Sequence, residues 1–356
     1  MKILVATGGS GGHIFPAVQA AKQLKARGHE VIFAGALAMA QTKIKDAGFE
    51  VIVIPAQGLG GFNPLKALRF MWVMLKAMIT AQRLIHRIKP DKVIGFGGYG
   101  SFAVIAAAAL SGYPSMIHEQ NAVPGKANRL MARLVTAVAL TFKSSASYFS
   151  SRQTVWTGCP CHCEVSGKSP EVLREKWQIA QGRRVIVLLG GSQGSHKLNE
   201  VFFEFIRLHG ESLGLQAIHM TGKSDYSLYA AKYKAAGLPA MAYEFLSPMD
   251  EVYALADMMV SRAGAATISE LGVLGIPSVL VPYPFAGNHQ KYNADVLVDC
   301  GTAVMIEQGQ LSVASLKEAL EAIQPRFASR EAARQANQDQ FRDDAALQLA
   351  LAVEAL

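Results

Sequence analysis

Lys2-Ile3-Leu4-Val5-Ala6-Thr7-Gly8-Gly9-Ser10-Gly11-Gly12-His13 opens the chain, and Arg184-Val185-Ile186-Val187-Leu188-Leu189-Gly190-Gly191-Ser192-Gln193-Gly194-Ser195 repeats its pattern, Gly190 standing where Gly8 stood. Each stretch is a short apolar run, a glycine turn and the start of a helix. After the first, an amphipathic helix runs to about Arg27, and Gly28-His29 turns into a second strand, Glu30 to Ala34. Strand, turn, helix and strand in that order form a βαβ unit of a parallel sheet. The alternation continues through Val51–Ile54, Leu65–Ile88, Lys92–Gly95, an alanine-rich helix, Ser115–Ile117, Val138–Leu140 and Thr154–Thr157. A second series starts at Arg184 and adds strands at Gln216–Met220, Met241–Glu244, Met258–Ser261, Ser278–Val281 and Ala303–Met305.

The expected fold is therefore α/β, with two Rossmann-like doubly wound domains facing a cleft. The first covers 1–160 and the second 165–329, with Gly158, Pro160, Gly167 and Pro170 interrupting the pattern between them. A final helix, about Arg330 to Leu356, follows Pro325 and is expected to pack back on the first domain. Doubly wound sheets bind ligands at the carboxyl ends of their strands.

A chain of 356 residues, 51% apolar and 17% charged, has material for two buried cores. Its four cysteines, three of them at Cys159, Cys161 and Cys163, do not describe a disulfide-stapled secreted protein. The N-terminal apolar run is too short for a signal peptide. Phe70–Ile79 and Phe102–Leu110 fall short of the ~18 apolar residues of a spanning helix. A soluble or peripheral cytoplasmic protein is expected. Residues 1–160 carry 18 Lys and Arg against 5 Asp and Glu, whereas 161–356 carry 17 against 22. A basic half joined to an acidic half points to an anionic surface or ligand for the first.

Three turns place Gly-Gly after a strand and before a helix, at Gly8, Gly97 and Gly190. Glycine lets backbone N–H groups approach an anion and the helix adds a partly positive end, so diphosphate is the expected guest. None reads as a dinucleotide fingerprint, because strand two ends in Phe33-Ala34-Gly35 where an acidic residue would hold the ribose. No P-loop occurs either. A nucleotide held without those signatures points to nucleotide sugars. Ser261-Arg262-Ala263-Gly264-Ala265-Ala266-Thr267-Ile268-Ser269-Glu270 puts a small-residue turn at a helix start and a carboxylate one to two turns inside, where it can accept hydrogen bonds from a ribose diol. Asn288-His289-Gln290 clusters polar side chains after the next strand.

With these motifs, GGYGS at Gly97 and HEQN at His118, the chain resembles, over essentially its whole length, the MurG family of UDP-N-acetylglucosamine:lipid I N-acetylglucosaminyltransferases, which have the GT-B fold. The resemblance implies a donor site of Ser10, Gly11, Gly12, Asn121, His162, Ser192, Leu246 (through its backbone), Ala265, Ala266, Thr267, Ile268, Ser269, Glu270 and Gln290, with His289 beside it. It implies an acceptor site in the basic half from Gly97, Gly98, Tyr99, His118 and Asn128. The family usually ends its first domain in Gly-Asn-Pro-Val-Arg; here the run is Gly158-Cys159-Pro160-Cys161-His162, and histidine has neither the permanent charge nor the fork of arginine.

The reaction implied is inverting transfer of N-acetylglucosamine to the muramyl 4-hydroxyl of lipid I, with UDP-N-acetylglucosamine and lipid I as partners and no cofactor. No Asp-x-Asp occurs, and the Cys159–Cys163 cluster lacks a second ligand pair at metal-site spacing, so no metal is expected. His13, at a loop–helix junction, is the preferred general base, against a bland reading as a helix-capping or phosphate-contacting histidine; Glu119 is the runner-up, with His118 and Asn128 orienting. Phe62–Ile88 mixes a broad apolar stripe with Lys66, Arg69, Lys76, Arg83 and Arg87, which suits a helix lying in an anionic interface or a core helix with a basic edge. The lipid-linked acceptor favours the former, on the cytoplasmic face of the bacterial inner membrane, with a cell-wall synthesis complex as a further partner. A diacylglycerol glycosyltransferase and a UDP-N-acetylglucosamine 2-epimerase are the competing enzymes. Nucleic acid is not expected as a partner, because the stacking aromatics and grouped basic motifs are missing.

Overall fold

A computed structural model describes residues 1–8, 11–37, 41–55, 64–150, 152–161, 163–191, 194–285, 287–323 and 329–356, with side chains of the third helix from 68 onward. The chain divides into two compact units, one of Met1–Cys161 with Arg342–Leu356, the other of His162–Phe341.

In the first unit β1 (Lys2–Thr7), α1 (Gly11–Ala26), β2 (Glu30–Gly35), α2 (Gln41–Asp46), β3 (Glu50–Val53), α3 (Pro64–Ile88), β4 (Lys92–Gly95), α4 (Tyr99–Leu110), β5 (Ser115–Glu119), α5 (Lys126–Met131), β6 (Ala137–Leu140) and β7 (Gln153–Trp156) follow in order. The seven parallel strands lie as β3-β2-β1-β4-β5-β6-β7. Order reverses between β1 and β4, which is where such sheets leave a crevice for ligand. Alternation along β1 supplies both cores: Leu4 and Ala6 enter one with Ile32, Ala77 and Val104, while Ile3 and Val5 enter the other with Ile14, Phe33 and Leu349.

The second unit contains α6 (Pro170–Lys176), β8 (Arg184–Leu189), α7 (His196–His209), β9 (Leu215–Met220), α8 (Tyr226–Ala235), β10 (Ala240–Tyr243), α9 (Met249–Leu255), β11 (Met258–Ser261), α10 (Ala265–Leu274), β12 (Ser278–Leu280), α11 (His289–Asp299), β13 (Ala303–Met305), α12 (Val313–Ile323) and α13 (Arg330–Asn337). Its six parallel strands run β10-β9-β8-β11-β12-β13, reversing between β8 and β11. The connecting stretch is tied down by Glu251, whose carboxylate accepts from Lys168 at 2.7 Å, Lys176 at 2.6 Å and Trp177 Nε1 at 2.9 Å.

The expected single terminal helix is two. Residues 330–341 stay with the second unit, because Asn337 Nδ2 donates to Gly272 O at 2.9 Å and Asn337 Oδ1 accepts from Thr302 at 2.9 Å. The Phe341 ring lies against Gly272 so closely that a Cβ there would stand 2.5 Å away. Only α14 (Ala345–Glu354) returns to the first unit, burying Leu349, Ala350 and Val353 there. Glu354 fixes its end with a two-pronged bond from Arg27, 2.7 Å at each oxygen, and one to His29 at 2.6 Å.

Candidate functional site

At the reversal point of the first sheet the turns after β1 and β4 touch. Gly97 and Gly98 have φ of 88° and 80°, which side-chain-bearing residues rarely adopt, and a Cβ on Gly8 would stand 3.2 Å from Gly97 O. The imidazole of His13, two residues into α1, fills the corner between them: a Cβ on Gly97 would lie 3.2 Å from its Cε1 and 3.3 Å from Asn128 Oδ1. His13 is half-buried, and loss of water holds its pKa below the usual histidine value, with the Gln120 contact opposing. Gly11 and Gly12 are exposed beside it at the helix start.

The HEQN segment ends β5 and lies beneath this corner. His118 is fully buried, its ring 5.4 Å from that of Phe96, and its Nε2 donates to Gly158 O at 2.9 Å. Burial lowers its pKa to about 4, so it is neutral at physiological pH. The expectation that His118 touches acceptor fails on this point: its ring is spent inside the unit. Glu119 is likewise buried. Its Oε1 accepts from the Asn121 amide N–H at 2.9 Å and Asn121 Nδ2 at 3.2 Å; its Oε2 accepts from Asn128 Nδ2 at 2.7 Å and Gly125 N–H at 3.3 Å. Burial raises its pKa while those four donors oppose. Such a carboxylate shapes the 121–128 turn; it does not reach a substrate proton, which corrects the reading of Glu119 as an alternative base. Asn128 Oδ1 is buried and has no hydrogen-bond donor among the described residues, and it borders the same space as His13. Tyr99 opens α4, 44% exposed, edge-on to Phe70 with ring centroids 5.9 Å apart.

Helix α3 has one buried apolar side and one exposed apolar side. Ala77, Ala81, Leu84 and Ile85 are buried, whereas Leu68, Met71, Trp72, Leu75 and Ile79 are 44–65% exposed on another side. Leu68, Met71, Trp72 and Leu75, with Phe102 of α4, line an open apolar groove of about 1020 Å³. Lys76 stands 5.0 Å over the Trp72 ring. Among the described residues no helix is long and apolar enough to cross a membrane.

The second sheet repeats the frame with different chemistry. Gly191 and Gly194 take φ of 86° and 75°, and a Cβ on Gly194 would sit 2.2 Å from Thr221 O. Ser195, which precedes α7, accepts at its Oγ from Arg262 at 2.6 Å. The same guanidinium donates to Gln308 Oε1 at 2.6 Å, Val281 O at 3.0 Å and Pro282 O at 3.3 Å. All four acceptors are neutral, and burial lowers the arginine's pKa. Sequence alone does not single out this cation, because Ser195 and Gln308 are distant along the chain.

Helix α10 starts after Gly264, so the N–H groups of Ala265, Ala266 and Thr267 form its open end. Ile268 and Ser269 are buried: Ile268 N–H donates to Gly264 O at 2.9 Å, and Ser269 Oγ donates to Ala265 O at 2.9 Å. Glu270 is partly exposed and its Oε2 accepts from the buried Tyr253 hydroxyl at 2.6 Å, a partner the sequence did not reveal. Gln290 Oε1 accepts from Ala263 N–H at 3.1 Å and Tyr283 N–H at 2.9 Å, pinning two turns together rather than pointing its oxygen outward. Leu246 is buried behind the exposed Phe245. Ser10, His162 and Ser192 lie outside the described residues, among which no group of side chains is arranged to hold a metal ion.

Both halves match known families. Residues 3–140 match the glycosyltransferase family 28 N-terminal domain and 185–349 the glycosyltransferase family 28 C-terminal domain. The chain is 39% identical over 325 residues to the UDP-N-acetylglucosamine–N-acetylmuramyl-(pentapeptide) pyrophosphoryl-undecaprenol N-acetylglucosamine transferase of Desulfotalea psychrophila, covering 90% of this chain and 87% of that one. The enzyme of the same name from Thermodesulfovibrio yellowstonii is 36% identical over 317 residues, covering 88% and 87%. Among solved structures, Acinetobacter baumannii MurG superposes with a TM-score of 0.77 at 27% identity, covering 100% of this chain and 99% of that one. Sequence identity carried over nine-tenths of the length, on the expected fold, places the chain in glycosyltransferase family 28, among the UDP-N-acetylglucosamine–N-acetylmuramyl-(pentapeptide) pyrophosphoryl-undecaprenol N-acetylglucosamine transferases.

Proposed function

We propose that this chain transfers N-acetylglucosamine from UDP-N-acetylglucosamine to the muramyl 4-hydroxyl of a polyprenyl-diphosphate-linked N-acetylmuramoyl-pentapeptide, with inversion at the anomeric carbon. The observation that carries the proposal is the near full-length identity to transferases of that one name. In this reading the second unit holds the donor. The N–H groups opening α10 and the glycine turn after β8 receive the diphosphate, and Glu270 accepts from the ribose hydroxyls. Gln290 keeps its amino group for the sugar, since its oxygen is committed.

The first unit holds the acceptor. Gly97, Gly98 and Tyr99 meet its diphosphate, Asn128 Oδ1 accepts from an incoming hydroxyl, and His13 removes the proton from the attacking oxygen. As the C–O bond to UDP breaks, charge grows on the β-phosphate, where oriented N–H groups stabilise it without reorganising. The exposed stripe of α3, with its flanking cations, rests on the anionic face of the cytoplasmic membrane that carries the lipid acceptor.

The test is incubation with radiolabelled UDP-N-acetylglucosamine and a short-chain lipid I analogue. Label should enter the lipid only when acceptor is present. Conversion of the donor without acceptor would instead identify an epimerase, and labelling of diacylglycerol a lipid glycosyltransferase. Sedimentation with phosphatidylglycerol vesicles checks the membrane face, and Trp72→Glu with Leu75→Glu should abolish it.

A further inference from the structure

The surroundings of the Gln120 carboxamide leave it only one orientation. Its Nε2 lies 3.1 Å from Phe96 O, 3.1 Å from His118 O and 3.3 Å from His118 Nδ1. Two of these are backbone carbonyls, which only accept, so the nitrogen must face them and the amide cannot be flipped. Its oxygen is then the atom 3.3 Å from His13 Nδ1. A carboxamide oxygen only accepts, so His13 must carry its proton on Nδ1. The other end of the chain of bonds agrees. His118 Nε2 faces Gly158 O and must be the protonated nitrogen there, which leaves His118 Nδ1 to accept from Gln120.

We infer that Gln120 is a positioning residue that sets the tautomer of His13, so that Nε2 carries the lone pair that takes the acceptor hydroxyl's proton. The two carbonyls fix the orientation of the Gln120 amide, its oxygen fixes the His13 tautomer, and Gly158 O fixes that of His118. Ordinary orienting groups for a base histidine are carboxylates, which also raise its basicity. A neutral amide fixes the ring without adding charge, which suits a site that must also receive a diphosphate. The proton moves from the sugar hydroxyl to Nε2 as the new C–O bond forms, giving a transient imidazolium whose Nδ1–H still donates to Gln120. This rests on the reading of His13 as the base.

Long-range ¹H–¹⁵N correlation spectra of the full-length protein with ¹⁵N-labelled histidine, assigned with a His13→Ala sample, test it directly. At pH 8 His13 should show a protonated-type Nδ1 and an unprotonated-type Nε2. In Gln120→Leu the two tautomers should mix, and kcat should fall about 10–100-fold with both KM values little changed, the loss expected for a charge-assisted contact made in the transition state. A Nε2-protonated His13 in the unsubstituted protein, or a tautomer unaltered by Gln120→Leu, overturns the inference. If the tautomer is as stated while His13→Ala keeps normal turnover, the relay stands and the base assignment fails. A thermal melt of Gln120→Leu separates misfolding from loss of orientation, and the spectrum of the unsubstituted protein decides the point without it.

Discussion

Position for position, His13 in the first unit corresponds to Ser195 in the second, each at the close of a glycine turn that leads into a helix. Around His13 the partners among the described residues are neutral: Gln120, buried His118 and the backbone of Gly8 and Gly97. Beneath Ser195 lies a guanidinium with four neutral acceptors and no carboxylate bonded to it among the described residues. One backbone frame therefore carries two electrostatic designs. On the proposed function, the first keeps a weak base uncharged near an incoming hydroxyl, and the second stores a positive charge beside the turn proposed to receive the donor diphosphate. Duplicated architecture need not mean duplicated chemistry, because the turn's geometry is set by glycine and the field by residues that arrive from other strands.

The contrast assigns turnover to the first site and donor affinity to the second. The largest effect should come from His13→Ala, with kcat down about 100–1,000-fold and UDP affinity unchanged. Near-normal turnover in saturating substrates would remove the chemical half of the contrast. Because desolvation lowers the His13 pKa, the base is already free at neutral pH, and the acid limb of kcat/KM should lie below 6.5. Arg262→Met should weaken UDP about 10–100-fold by calorimetry while uridine, which lacks the phosphates, binds as before. Equal loss for both ligands would make the arginine a scaffold only.

Each unit also buries a neutral histidine, His118 with its pKa lowered to about 4 and His219 to about 3. The unfolded chain takes up these protons below about 6.5 and the folded chain does not, so stability is full above that pH and falls as pH drops towards 4 and 3. Between pH 6.5 and 5 the loss is about 2 kcal/mol for each. Hydrogen exchange should report it separately in β5 and β9, and unchanged protection in either would show a charged histidine tolerated there. The smallest change is Tyr253→Phe, which frees Glu270 from its 2.6 Å bond and should raise donor KM about 3–10-fold with kcat retained. A larger loss in kcat than in KM would mean that Glu270 acts in the chemical step.

Much of this frame was legible in the sequence. Apolar runs closed by Gly-Gly gave both sheets, because strand period and glycine turns are local properties. The ordered motifs gave the family. What sequence could not supply was direction. HEQN was recognised, but nothing in four letters says that His118 and Glu119 point inward while Gln120 reaches His13, 107 residues earlier. Arg262, Ser195 and Gln308 meet only once the sheet is folded, and Tyr253 meets Glu270 across two helices. The division of the tail is hidden for a related reason: Asn337 and Phe341 are held by single sites on α10 and β13's approach, which periodicity does not encode.

Because α14 seals one layer of the first sheet, that unit is completed only by a stretch that follows the whole second unit in the chain. A fragment stopped at Cys161 would leave Ile3, Val5 and Ile14 without the cover of Leu349, Ala350 and Val353, and Arg27 and His29 without Glu354. The first half therefore cannot finish folding on the ribosome before the second has been made. Exchanging halves between relatives as cassettes should succeed only when residues 342–356 travel with the N-terminal piece.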